Sequence, residues 1–571
     1  MRRTTRGSHI LKVRDRRRFR EPLQRLLWPL ATATVAACAS PRKPDVVPTT
    51  ASIEQTRMGA LAPAQLVASF DGLGVEFTGP QGRAILRNPS DNSLAVGRDH
   101  IVQIVNTRLA VFSRAGAMYD TTGRALYGPV ATNTVFHGAG GACEARNSGD
   151  AVVRYDQLAD RWLIVMPVFQ RSVWHPDDPV APHAGGPVVE SRPFRRGAPG
   201  APVPLFVPAP VFDTIGTRPP APRDSGAYAM CYAVSASADP LGAWYRYEFV
   251  RPLFPDYPRP AVWPDGYYIP TSTGDDVIEK HACVADRARM LRGDAATEQC
   301  VVIADVNFLN NVDLDGTTLP PPGAPNIMLA AGGSQLRGQM TDSVLLAWTF
   351  HVDWSDIAGT RVSGPVSIPV APYHYLCDGQ LTNCVTQPGT ERRLDAQGDK
   401  LMARVVYRRI GTTESIVAVH SVTASTGGGV RWYELQLNRD RALRVAQQGT
   451  YAPDTSIRWM GSPAMDRFGN IGIGYSFGGA PFFPGQRFAA RRRNDARGQL
   501  TVREQVLVDG AASQTTTLRW QDYTQTAVDP RDDCTIWYVG DYLRSGASGY
   551  SSRIGAFRMP GCSGAAIATP H

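Results

Sequence analysis

The sequence predicts an all-β protein, and within that class a β-propeller of seven blades, with six as the alternative count. Three observations carry the prediction. First, one hairpin phrase recurs along the chain: "SLAVGRDHIVQIVNT", "VVRYDQLADRWLIVMP", "PAVWPDGYYIPTS", "MARVVYRRIGTTESIVAVHS", "PAMDRFGNIGIGYSF" and "QTAVDPRDDCTIWYVGDY". Each sets a short apolar strand, a turn of Asp, Gly, Asn or Arg, and a second strand rich in Ile, Val, Trp or Tyr. A weaker seventh copy joins "NIMLAAGG" to "SVLLAWTFHVDW". Second, with starts near Ser93, Val152, Pro260, Ile327, Met402, Pro463 and Gln525, the copies step by 59 to 75 residues, except for one step of 108 that holds a Pro-rich insertion at 171–225. A unit of that size is a four-stranded blade with generous loops. Third, outside the amino-terminal region no long stretch sustains a helical apolar period, so helices are expected to be short, as in "VADRARMLRGDAA". Length alone favours two or three β-sandwiches instead, but no linker divides 90–562.

At the amino terminus, residues 1–25 carry ten basic side chains against Asp15 and Glu21, and the twelve mostly apolar residues 26–37 follow. That run is too short to span a bilayer as a helix, which takes about 20 residues. Basic, apolar and small-residue segments in this order make a secretory signal over 1–37. Val35-Ala36-Ala37-Cys38 resembles a bacterial lipobox. The resemblance implies that Cys38 becomes the lipidated amino terminus, anchored in a membrane, and that Ala39, in place of an aspartate, sends the chain to the outer membrane. Arg16-Arg17-Arg18-Phe19 also resembles part of a twin-arginine export signal. The alternative is ordinary cleavage after an Ala-x-Ala-like site, giving a periplasmic or secreted protein.

Residues 38–64, rich in Pro, Thr and Ala, read as a flexible tether, 65–562 as the propeller and 563–571 as a tail. Of nine cysteines, lipidation of Cys38 leaves eight, an even set that reads as disulfides in an exported protein. Cys377 and Cys384 bracket the turn-forming "DGQLTN" and are expected to close a small loop. The formal charge is +9, but ten basic and two acidic residues lie in 1–37, which leaves the mature chain at +1 and argues against nucleic acid as a partner.

Within the body, "RWLIVMPVF" is apolar on both alternating faces, as in a strand sandwiched between sheets. In "NIGIGYSF" the residues Ile471, Ile473, Tyr475 and Phe477 share one side, and Gly472, Gly474 and Ser476 the other. Glycines on one face let a neighbouring sheet or a ligand come close. "DNSLAVGRDHIVQIVNTRLAVFSRAG", "CYAVSASADPLGAWYRYEF" and "DYPRPAVWPDGYYIPTS" resemble phrases of a group of large exported bacterial proteins of uncharacterised function. That resemblance covers most of the mature chain and implies a propeller-like fold outside the cytoplasm. It brings no catalytic residues.

Several chemistries are disfavoured. No lysine follows a glycine, so no phosphate-binding Gly-Lys-Ser/Thr loop exists, and His-Glu-x-x-His, Cys-x-x-Cys and Gly-x-Ser-x-Gly are missing too. "MDRFGNIGIG" and "VDPRDDCTIW" resemble the Asp-box turns of sialidase-like propellers, although Asp466 and Gly469 are three apart and Asp529 lacks the glycine. Such turns are structural and remote from catalysis. Arg259, Arg404 and Arg487 stand in separate blades and form no motif.

The densest polar and aromatic segment is 254–276, where Asp256, Tyr257, Arg259, Trp263, Asp265 and Tyr268 are candidates to line a propeller mouth. "RWQDYTQ" adds Trp520, Asp522 and Tyr523. Aromatic faces with carboxylates and a guanidinium suit sugar or peptide binding. The alternative is packing between blades, with Asp265-Gly266 as a hairpin turn. "NVDLDG" sets Asn311, Asp313 and Asp315 at alternate positions before Gly316, as in the opening of a calcium loop. These three are candidate ligands for a structural calcium, although Pro322 stands where the closing glutamate belongs. No other cofactor is expected. The function expected from all this is binding: a lipid-anchored propeller presenting one end to a glycan, peptide or envelope protein. The alternative is a glycoside hydrolase or lyase of sialidase-like architecture.

Overall fold

Short runs of Val, Ile, Trp and Tyr between Asp- and Gly-rich turns fold into antiparallel hairpins throughout. The computed structural model describes residues 53–83, 86–169, 228–251, 254–272, 280–303, 306, 308–331, 343–379, 383–398, 400–402 and 404–562, with the backbone of 189–191 and 203–204. The protein is all-β, and its helices among these residues are short.

Seven antiparallel groups of four strands succeed one another among the described residues. Their first strands are Ser93–Val96, Val152–Asp156, Ala261–Trp263, Asn310–Leu314, Val405–Ile410, Ile457–Met465 and Gln525–Val528. Each first strand lies beside the first strand of the next group, and the seventh lies beside the first, so the series closes on itself. The fourth and fifth groups are also joined by parallel pairing of Val312–Leu314 with Val405–Tyr407. Closure of the seventh group uses the other end of the body: Gln65–Asp71 pairs antiparallel with Ser551–Arg558. Unfolding that group therefore requires releasing both ends of the described chain.

The apolar faces of neighbouring groups form the core, and they approach closely where side chains are missing. A Cβ on Gly474 would sit 2.2 Å from the Tyr538 ring, and one on Gly472 would sit 2.4 Å from Phe488 and 2.7 Å from Ile536. The glycine face read from the sequence thus meets a sheet. Gly474→Val is expected to destabilise the protein by about 1–3 kcal/mol through overpacking. An unshifted urea midpoint would mean that the seventh group can slide away at no cost.

Three expectations change in the structure. Ile327 falls on the second strand of the fourth group, whose first strand is Asn310–Leu314. That strand was hidden because its alternate residues are polar. Residues 53–64, expected within the tether, lie along the fifth and sixth groups: Glu54–Gln55 pairs in parallel with Thr450–Tyr451, and Leu61 N–H donates to Thr501 O at 3.0 Å. Within the insertion, 189–191 adds to Glu298–Cys300 and 203–204 to Ala243–Trp244 as fifth strands. The expected helix forms at Arg287–Arg292, where Asp286 caps the Arg289 N–H and Gly293 ends it in the left-handed conformation.

Four disulfides form: Cys143–Cys231, Cys283–Cys300, Cys377–Cys384 and Cys534–Cys562. They fit an exported protein. No helix among the described residues is long and apolar enough to cross a membrane. The signal and Cys38 lie outside the described residues.

Candidate functional site

Backbone strain marks one end of the ring of first strands. Asp91 (φ 50°), Asp150 (53°), Tyr257 (48°), Phe308 (45°), Gln397 (45°) and Asp522 (64°) all adopt the left-handed region, which disfavours side chains other than glycine. Each stands just upstream of a first strand, in six different groups, and all six line one pocket of about 250 Å³. Conformations that cost roughly 1–3 kcal/mol each persist where the surrounding fold holds them, and they concentrate at functional sites.

Carboxylates dominate the pocket. Asp150 lies within hydrogen-bond reach of both Asp91 and Asp256, so the three carboxyls form a row. Burial, then the Asp150 charge, raises Asp91 well above the ordinary carboxylate value, and burial followed by the Asp256 charge does the same to Asp150. Asn106 Nδ2 donates to Asp91 Oδ2 at 2.8 Å. On the opposite wall Arg519 donates to both oxygens of Asp522, which also accepts from Gln397 Nε2 at 3.2 Å. Arg519 Nε lies 3.4 Å from Asp395 Oδ2 as well. Lys400 donates to Gln397 Oε1 and rests 3.9 Å from the centre of the Phe308 ring. The rings of Tyr257 and Tyr523 stack at 4.5 Å with 9° between their planes, joining residues 266 positions apart in sequence.

Asp395 is fully buried, and burial followed by the Asp522 charge raises its pKa from 3.8 to about 8. A carboxyl that holds its proton more tightly when folded contributes stability that is complete below about pH 4 and lost as pH rises through the folded value. Asp395→Asn removes this ionisation. It is expected to flatten the decline in melting temperature between pH 5 and pH 8, and an unchanged slope would show that Asp395 ionises without penalty.

Four of the nine mouth candidates meet in this pocket: Asp256, Tyr257, Asp522 and Tyr523. Arg259 lies beneath them, buried, with its guanidinium 5.0 Å from the Tyr257 ring and its Nε donating to Leu309 O at 2.8 Å. The remaining four are elsewhere, where packing decides. Trp263 is buried and donates to Ala324 O, while Tyr268 donates to Asp265 Oδ1 at 3.1 Å near the turn of the same hairpin. Trp520 is buried beside Trp459 and donates to Ser476 Oγ at 3.0 Å.

The calcium expectation is corrected by the strand. Alternate residues of a strand share a face but stand roughly 6.5–7 Å apart, whereas calcium needs its oxygens within about 2.6 Å of one point. Asp313 Oδ2 instead accepts from Arg404 Nε at 2.8 Å and lies 3.3 Å from Arg154 Nε. Asp315 pairs with Arg404, and Asn311 donates to Asn326 Oδ1 at 2.8 Å. The two Asp-box-like turns are structural: Asp466 Oδ1 accepts from the N–H groups of Phe468 and Asn470, and Asp529 Oδ1 from that of Arg531.

Sequence reasoning missed Asp91, Asp150, Asp395, Gln397, Lys400 and Arg519. One signal was present: Lys400 is one of only two lysines beyond residue 43. The others lie in short polar loops that look like any turn.

No protein-family model matches the chain, and no curated protein matches it either. Among solved structures, a protein of unknown function from Dyadobacter fermentans DSM 18053 aligns at 10% identity and a TM-score of 0.32, covering 87% of this chain and 100% of that one. The Penicillium chrysogenum alpha-L-arabinanase complexed with arabinobiose aligns at 8% identity and a TM-score of 0.27, covering 54% of this chain and 94% of that one. At these scores neither likeness bears on function.

Proposed function

We propose that this protein is an exported seven-bladed β-propeller, lipid-anchored through Cys38 at the outer membrane, that binds a glycan or peptide in its axial mouth. Support for seven blades comes from the seven four-stranded groups, the unbroken succession of first strands and the closure by Gln65–Asp71. The binding reading rests on one observation above all: six strained loop residues from six groups converge on one carboxylate-rich pocket. Loops on a rigid scaffold are where ligands are held. The test is retention of the mature protein on an array of polysaccharides and immobilised peptides, with released reducing sugar scored alongside. One class is expected to retain it, and Asp522→Asn is expected to weaken that retention. Failure of every surface to retain the folded protein would overturn the proposal.

One observation favours hydrolysis as a second reading. Burial holds protons on pocket carboxyls above their usual range, which is what a general acid acting on a glycoside needs. Release of reducing sugar, abolished in Asp150→Asn, is its expected signature.

A further inference from the structure

Resting on the binding reading above, we propose that the ligand group entering the mouth is cationic: the lysine or arginine side chain of a basic peptide segment. The first argument is charge. Five carboxylates gather at the site, Asp91, Asp150 and Asp256 in a row, with Asp395 and Asp522 opposite. Among the described residues three cations face them. Arg519 holds Asp522 and Asp395, Lys400 sits over Phe308, and Arg259 feels Asp256 from below. Among the described residues these carboxylates outnumber the cations by two, and Arg519 and Arg259 reach the row only through their fields at Asp91 and Asp256. Burial and mutual repulsion favour the protonated forms of Asp91 and Asp150 instead.

The second argument is unmet hydrogen bonding. Among the described residues the Tyr523 hydroxyl has no partner, and Tyr523 lines the pocket at 4% exposure. A buried polar atom left without a partner forfeits its hydration, and a ligand that bonds it recovers that loss. The third is the wall. Phe169, Phe308 and the stacked pair Tyr257 and Tyr523 present aromatic surface, whose quadrupole attracts ammonium and guanidinium groups.

Size and donor geometry separate an organic cation from a metal. A pocket of about 250 Å³ is far larger than a bare ion and accommodates a guanidinium or ammonium group with its methylene stem. A divalent ion needs ligand oxygens around one point. The acidic row does not provide this, for its carboxylates are absent from the described side-chain clusters whose ligand atoms lie within 4.8 Å of one another.

A cation entering the row favours the ionised forms of Asp91 and Asp150 and so displaces their protons, and binding should strengthen as pH rises from 5 to 8. Asp395, raised to about 8, begins to lose its proton only at the upper end of this range, which works in the same direction. Tyr523 and Arg519 are both shifted upward and keep their protons there.

The experiment is calorimetry on the mature protein with n-butylguanidinium, n-butylammonium, the neutral isostere butylurea, and calcium chloride, each in two buffers of different ionisation enthalpy. Saturable binding of one organic cation with proton release, and none of butylurea, is the expected result. Asp150→Asn and, independently, Asp256→Asn should weaken it by roughly tenfold, the loss of one charge-assisted hydrogen bond. Circular dichroism confirms that the variants fold. Equal binding of butylurea without proton release, or calcium binding in place of the organic cations, would overturn the cationic side-chain assignment. Failure of all four probes while a polysaccharide still retains the protein would sink this inference alone. Failure of probes and surfaces together would remove the binding reading as well.

Discussion

Replacing Asp313 with alanine is expected to destabilise the protein by about 3–5 kcal/mol, the usual result of stripping one partner from a buried ion pair. Asp313 projects from the first strand of the fourth group and receives Arg154 from the second group and Arg404 from just before the fifth. All three side chains are at least 94% buried. Its other oxygen accepts the Val262 N–H at 2.8 Å, tying in the third group. Without the carboxylate, Arg404 keeps its contact with Asp315 while the buried Arg154 loses its ion pair. Asp313→Asn preserves the acceptor for Val262 but not the charge, so it should show most of the same loss in a urea midpoint. A loss below about 1 kcal/mol in both variants would mean that solvent reaches Arg154 and Arg404.

The second large effect is expected from Cys143→Ala combined with Cys231→Ala. That disulfide joins residues 88 apart and spans the whole Pro-rich insertion. In the chain-entropy account a loop of this length is worth about 4.5 kcal/mol, against about 2.5 kcal/mol for the seven-residue separation of Cys377 and Cys384. Unfolding midpoints of the two double variants should therefore differ clearly, with Cys143 and Cys231 the more costly pair. Equal losses would show that loop length does not set the stabilisation in this protein.

What was legible in the sequence follows from local physics. Period-two patterning and turn residues identified hairpins such as Arg161–Val168, and the glycine face of Ile471–Gly479 announced a close neighbour. The helix at Arg287–Arg292 was legible because its cap and its terminal glycine are local too. The strand Asn310–Leu314 was not, since the partners that make its polar alternation sensible, Arg154 and Arg404, lie about 90 residues or more away.

The pocket divides in the same way. Asp256 and Tyr257, or Asp522 and Tyr523, stand out as dense polar and aromatic pairs within their own segments, and composition alone marked them. Asp91, Asp150, Asp395 and Lys400 carry no such local signature. Their importance comes from ring closure, which brings loops hundreds of residues apart to one end of the first strands. Read along the chain alone, the residues specify the all-β class, the repeated hairpins and cysteines suited to an oxidising compartment, because these depend on near neighbours and composition. Tertiary contacts settle which carboxyls lie within hydrogen-bond reach of one another, which arginines they hold and which aromatics stack. Those interactions fall off within a few ångströms of space, and spatial separation is what a one-dimensional pattern does not contain.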